Sequence, residues 1–150
     1  MSGQDGGDNP LGVASPGQRA LFTFLGHALL GPFYSGLTVL AMIILARPLK
    51  LDALVPQGLP NAGEAAINTF IWAAIPAALA GLALAAVVWR RGGYPWIAAA
   101  AAGGIAFMLA AITMPLPAEL ALTPLTMLAA VIAIAVRSSL VGGGIIMQQQ

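Results

Sequence analysis

The chain has 150 residues, of which 59% are apolar and only 7% charged, with a formal net charge of +1. An ordinary soluble domain carries roughly 25% charged residues, so this composition excludes one, and the small net charge supplies no basic stripe for nucleic acid. Cysteine is absent, which removes disulfides, thiolate metal sites, iron-sulfur clusters and covalent c-type haem attachment from this chain.

Residues 1–17, MSGQDGGDNPLGVASPG, are rich in Gly, Asp, Ser and Pro with little to bury, and predict a flexible N-terminal tail. The first apolar run covers 21–46. It reads as a retained span, because Asp5 and Asp8 precede it against the single positive charge of Arg19 and it is longer than a signal-peptide core. Residues 47–64, RPLKLDALVPQGLPNAGE, mix three prolines and two glycines with Leu and Val, the pattern of a loop lying on a membrane surface.

A second span is predicted over 65–89, and Arg90-Arg91-Gly92-Gly93-Tyr94-Pro95 is a tight turn that returns a third span, 96–114, beside it. Pro115 and Pro117 then break the chain before a fourth span over 118–136. The predicted fold is an all-α membrane protein: four transmembrane helices in an up-down bundle with short loops, occupying 18–141, with 142–150 a flexible C-terminal tail. Pro48-Leu49 with Asp52 and Pro115-Leu116 with Glu119 echo one another, but the flanking helices do not align, which argues against an internal repeat.

Arg19, Arg90, Arg91 and Arg137 fall on one side of this topology, against Arg47 and Lys50 on the other. The bias predicts cytoplasmic termini, and the Ala and Gly richness suggests a bacterial inner membrane. Trp89, Tyr94 and Trp96 at the arginine turn, and Phe22 and Phe24 near Arg19, then read as interfacial aromatics. Asp52, Glu64 and Glu119 are expected on the outer side.

At 3.6 residues per turn, Thr23, His27, Gly31, Tyr34 and Thr38 share an arc of roughly 80°, with Ser35 at its margin. Lipid offers these groups no hydrogen-bond partner, so the stripe should face other helices or a wet cleft. Two readings follow: interhelical hydrogen bonding with close packing at Gly31, or a path for a ligand, quinone or proton. His27 lies ~9 Å beyond the start of the span, a depth compatible with haem b or a quinone headgroup. Bis-histidine haem needs two imidazoles, and this chain has one; the second would have to come from another copy or subunit.

Pro32 and Pro76 each deny a helix one hydrogen bond, at the carbonyls of Ala28 and Trp72, and predict kinks. Ala77, Gly81 and Ala85 in the second span, with Ala99 and Gly103 and also Ala100 and Gly104 in the third, repeat small residues four apart. They predict close-packing faces brought together by the hairpin, with any remaining small face free for a neighbouring subunit. Asn68, Thr69, Thr123 and Thr126 form no triad or metal cluster with His27, and no metal site is expected.

No carboxylate or lysine occupies the middle of a span, which counts against a self-sufficient ion-coupled pump. Four short spans in this length are similar in architecture to the small multidrug resistance exporters. The membrane-embedded glutamate that those proteins carry in their first span has no match here, where the corresponding region offers His27, Gly31 and Tyr34. HExxH, GxSxG, P-loop and GxGxxG motifs are also missing, so the sequence predicts no enzyme. The expected function is a non-catalytic accessory or assembly subunit of a larger bacterial membrane complex. Its partners would be the lipid bilayer and other membrane subunits or its own copies, with no nucleic acid and no cofactor. The alternatives are a small oligomeric carrier or channel that uses the polar stripe as its path, and a haem b or quinone-binding anchor centred on His27.

Overall fold

Apolar runs of this length have one way to satisfy their backbone in lipid, which is to hydrogen-bond within a helix. The computed structural model describes residues 14–46, 48, 61–114 and 122–147, and within them forms four helices: α1 (Pro16–Ala46), α2 (Ala62–Arg91), α3 (Trp96–Thr113) and α4 (Leu122–Gly142). All four are long and apolar enough to cross a membrane. The fold is an all-α four-helix bundle, and the chain is an integral membrane protein by the length and composition of these spans. The loop between α1 and α2, the breaks at Pro115 and Pro117, and the expected start of the fourth span at 118 lie outside the described residues.

The helix ends follow local chemistry more closely than the apolar pattern. α1 begins at Pro16, inside the segment expected to be tail, because Ser15 and Gln18 form a reciprocal capping box. The Gln18 amide donates to Ser15 Oγ and the Ser15 amide to Gln18 Oε1, with Pro16 in the first helical position where its missing N–H costs nothing. α2 likewise starts three residues before the expected span, with Asn61 Oδ1 accepting from the Glu64 amide. Its other end closes on Gly92, whose φ of 73° is left-handed and whose amide donates to the Val88 carbonyl.

α4 runs past the expected end at Val136 to Gly142. It stops in a Schellman motif: the Gly144 amide donates to the Val141 carbonyl and the Ile145 amide to the Leu140 carbonyl, with φ 69° at Gly144. The chain then turns back, so that Ile146 is buried and the Met147 amide reaches the Gly92 carbonyl at 3.4 Å. Residues 143–147, expected as part of a flexible tail, therefore pack on the α2–α3 turn.

Around the bundle each helix packs on the next, and α4 closes back on α1 through the least extensive of the four interfaces. The small faces do not meet in the pairing expected from the hairpin. A Cβ on Gly81 would lie 2.9 Å from His27 Cβ and 3.0 Å from the Phe24 carbonyl oxygen, and one on Gly31 would lie 2.8 Å from Ala77 Cβ, so the α2 small face is packed on α1. A Cβ on Gly103 would lie 2.6 Å from Ala133 Cβ, and one on Gly104 3.5 Å from Thr126 Cγ2, so the α3 small face is packed on α4. The α2–α3 contact is built on larger groups, among them Trp72 against Phe107 with ring centres 5.3 Å apart. Without water between helices to drive association, close van der Waals approach decides such pairings, and it is closest where glycine removes a side chain from each pair.

The main cluster of buried side chains sits at the α2–α3 turn: Leu84, Val88, Tyr94, Ala99, Ile132, Val136, Leu140 and Ile146. A Cβ on Gly26 would lie 2.7 Å from Leu140 Cδ2, which sets the end of α4 about 15 Å along α1 from its first residue. Tyr94 packs beside the last turns of α4, in one cluster with Val136, Leu140 and the Ile146 of the returning C-terminal segment. Tyr94 is fully buried, whereas Trp89 and Trp96 on either side are 64% and 53% exposed. The interfacial reading of Tyr94 is thus replaced by a core position, because the turn docks on α4 through the Tyr94 carbonyl and carries the ring in among Val136 and Leu140.

Candidate functional site

The polar stripe of α1 lies on the inner face of the bundle. Thr23 and His27 are buried, Gly31 is buried against α2, and Tyr34 and Thr38 are half-buried toward α4. Most of its hydroxyls turn back on their own helix. Thr23 Oγ1 donates to the Arg19 carbonyl at 2.8 Å, Ser35 Oγ to the Gly31 carbonyl at 2.9 Å and Thr38 Oγ1 to the Tyr34 carbonyl at 2.7 Å. Tyr34 reaches across to α4, with its phenol 2.9 Å from Ser139 Oγ. Ser139 Oγ also lies 3.1 Å from the Ala135 carbonyl, to which it donates. A serine has one proton, so Tyr34 is the donor of the pair.

His27 Nδ1 is 3.1 Å from the Thr23 carbonyl. A carbonyl only accepts, so Nδ1 carries a proton and donates it. A neutral imidazole that donates through Nδ1 offers a lone pair at Nε2, and that atom is buried with no hydrogen-bond partner. The phenol oxygen of Tyr94 is buried and unpartnered too, and the two rings stand 6.2 Å apart at 55°. Burial pushes the Tyr94 phenol well above its usual ionisation range, partly offset by the nearby Arg137 charge, so the group remains a hydrogen-bond donor.

Arg137 closes the junction from α4. It is 9% exposed, and its Nε–H donates to the Tyr94 carbonyl at 2.8 Å. The sequence puts Arg137 on the same side as Arg90 and Arg91, and in the structure it is buried against the turn that follows them. Tyr94, Arg137, Ser139 and Ile146 were not among the residues singled out as a site. Only the position of Tyr94 had a signal, the Gly92-Gly93 pair before it, which lets the C-terminal strand of chain come close: a Cβ on Gly93 would lie 2.6 Å from the Met147 carbonyl oxygen.

Pro32 and Pro76 are both buried and lie inside helices that continue through them. Ala85 and Ala99 are buried, and Ala77 is half-buried on the face toward α1. Thr69 donates to the Ala65 carbonyl, while Asn68 and Thr123 are exposed, so none of them joins His27. Thr126 meets Met108 Sδ at 3.3 Å across the α3–α4 contact. Among the described residues no three His, Asp or Glu side chains come together as a metal-binding group.

Where α1 and α4 separate beyond the Tyr34–Ser139 contact, an open-sided groove of about 730 Å³ follows the two helices. Its walls are apolar, including Leu37, Met42, Leu45, Leu128 and Val131, and its hydroxyls come from Tyr34, Thr38, Ser138 and Ser139. The stripe therefore divides into two parts: a closed junction around His27, and a polar edge to a lateral groove.

These features define a four-span integral membrane protein with a sealed polar junction at one end of the bundle. No protein-family model, curated protein or solved structure matches the chain.

Proposed function

We propose that the chain is a non-catalytic accessory or assembly subunit of a larger membrane protein complex, in a bacterial inner membrane with both termini in the cytoplasm. The observation that carries this reading is the way the polar stripe is used. Thr23, Ser35 and Thr38 donate to carbonyls of α1 itself, and Gly31 and His27 are pressed against Ala77 and Gly81. A solute path through the bundle needs donors and acceptors that face a common opening; Thr23, His27 and Ser35 face backbone or a neighbouring helix, and Tyr34 and Thr38 border a groove on the side of the bundle. His27 serves here as a packing and hydrogen-bonding residue rather than as a haem or quinone ligand.

Large apolar side chains on the outer faces support the partner half of the reading. Leu25, Leu29 and Phe33 on α1, and Ile97, Ile105 and Ile112 on α3, project outward at helical spacing. Lipid covers such faces in isolation, and another subunit's spans can replace it without burying a polar group. Arg19, Arg90 and Arg91 gather at the α2–α3 turn end while Glu64 stands at the start of α2, an asymmetry that supports the proposed orientation.

Native mass spectrometry of the protein drawn from its own membrane in mild detergent tests the reading. A foreign subunit at fixed stoichiometry is the expected result. A homo-oligomer with solute flux in vesicles that His27→Ala abolishes, at unchanged expression, would replace it with a carrier.

A further inference from the structure

We propose that the α2–α3 turn end of the bundle is a binding surface for anionic phospholipid head groups, held by Arg19 and Arg90 and framed by Trp89 and Trp96. The surface goes beyond the subunit reading and does not depend on it. Charge, depth and side-chain chemistry each point to this ligand.

The described residues carry four arginines, Arg19, Arg90, Arg91 and Arg137, and all of them lie at this end, whereas their one carboxylate side chain, Glu64, is at the other end of α2. α1 and α3 both begin here with no acidic residue in the first turn. The start of α1 and the end of α2 are side by side: a Cβ on Gly17 would lie 3.7 Å from the Trp89 ring, and one on Gly92 3.6 Å from Arg19 Nη1. The fold thus gathers positive charge from separate helices. A charge is screened within ~8 Å at physiological salt, so Glu64 does not offset them.

Depth decides where that charge acts. Glu64 and Arg90 stand about 39 Å apart along α2. A bilayer is ~30 Å thick in its hydrocarbon and ~40–45 Å with its head groups. A centred α2 sets Arg90 about 4–5 Å outside the hydrocarbon, at the level of the head groups. Trp89 precedes Arg90 and Trp96 opens α3 across the turn, and both rings are exposed. Indoles favour this level, apolar body toward the acyl chains and N–H toward the head groups.

The side chains select the sign of the lipid. A guanidinium is always charged and presents a planar fork of donors that matches phosphate oxygens. A zwitterionic head group brings an ammonium along with its phosphate, and the arginines repel it. A glycerol head group leaves the phosphate charge whole.

The test uses the full chain in vesicles of equal phosphatidylglycerol and phosphatidylcholine at low salt, followed by native mass spectrometry of the retained lipid. Expected is phosphatidylglycerol enriched about 25-fold, from about fivefold for each of Arg19 and Arg90. Arg90→Gln and Arg19→Gln should each lower the enrichment about fivefold with helicity unchanged. Arg90→Lys, which keeps the charge, should retain most of it, and Glu64→Gln at the far end should leave it as it is. Equal retention of the two lipids overturns the assignment. So does an enrichment that both glutamine variants keep, or one that Arg90→Lys loses as fully as Arg90→Gln. Displacement of the lipid by millimolar inorganic phosphate, or an acidic protein crosslinked to this face in its place, would also overturn it.

Discussion

The imidazole of His27 and the phenol of Tyr94 stand 6.2 Å apart, centre to centre, in a junction that closes both to solvent. Each has an unpartnered polar atom, and the two are complementary, because Nδ1 donation to Thr23 leaves Nε2 an acceptor and the phenol is a donor. We predict that the two are coupled, since buried polar groups gain by pairing. A double-mutant cycle with Tyr94→Phe and His27→Leu is expected to give a coupling of about 1 kcal/mol in detergent unfolding. Zero coupling would mean two independently unsatisfied groups, and Tyr94→Phe alone would then raise stability.

Glycine 81 separates close packing from mere smallness. Gly81→Ala sets a methyl 2.9 Å from His27 Cβ and 3.0 Å from backbone at Phe24, neither of which can swing away, whereas Gly104→Ala meets only Thr126 Cγ2 at an ordinary 3.5 Å. The first substitution should destabilise by about 1–3 kcal/mol, and the second by less than about 0.5 kcal/mol. Unfolding in mixed micelles checks both, and equal effects would contradict the α1–α2 register.

The contrast between those glycines also explains what was legible. Four spans and the polar stripe followed from composition and a 3.6-residue period, because lipid punishes any other arrangement of such runs. The stripe's inward direction followed from the same argument. Which small face packs on which helix did not, since Ala and Gly recur on every span and the choice rests on approaches at Gly81 and Gly103 so close that a Cβ there would lie under 3.0 Å from the facing helix. The early start of α1 was written in Ser15-Pro16-Gly17-Gln18 as a capping box, hidden by the Gly and Pro around it. Burial of Tyr94 and Ile146 depends on where α4 stops, a tertiary fact with no local marker beyond the glycines at 142–144.

Alkaline stability should report Tyr94. Burial raises its phenol above the usual tyrosine value of about 10, so the unfolded chain releases this proton first as pH rises. The stabilisation is complete below about pH 10 and is lost progressively above it. Thermal melts between pH 8 and pH 11 are expected to fall more steeply for the wild type than for Tyr94→Phe above pH 10. Parallel curves would mean that the phenol is reached by solvent in the folded protein.

Arg137 holds the other side of the same turn. Its Nε–H to the Tyr94 carbonyl, at 2.8 Å, is a charge-assisted bond to a backbone group that the folded core encloses. Arg137→Ala leaves that carbonyl without this donor, at a cost of about 1–3 kcal/mol. Arg137→Lys keeps the charge but replaces a planar donor fork by a compact ammonium, and should recover less than half of the loss. Because the Tyr94 turn also receives Met147 through Gly92 and Gly93, loosening it should free the C-terminal segment as well. Hydrogen exchange is then expected to speed up at the Ile145 and Met147 amides in Arg137→Ala, with α1 amides near Thr38 unchanged. Acceleration spread evenly over all four helices would make Arg137 a general determinant of bundle stability rather than the clasp that ties the turn to α4.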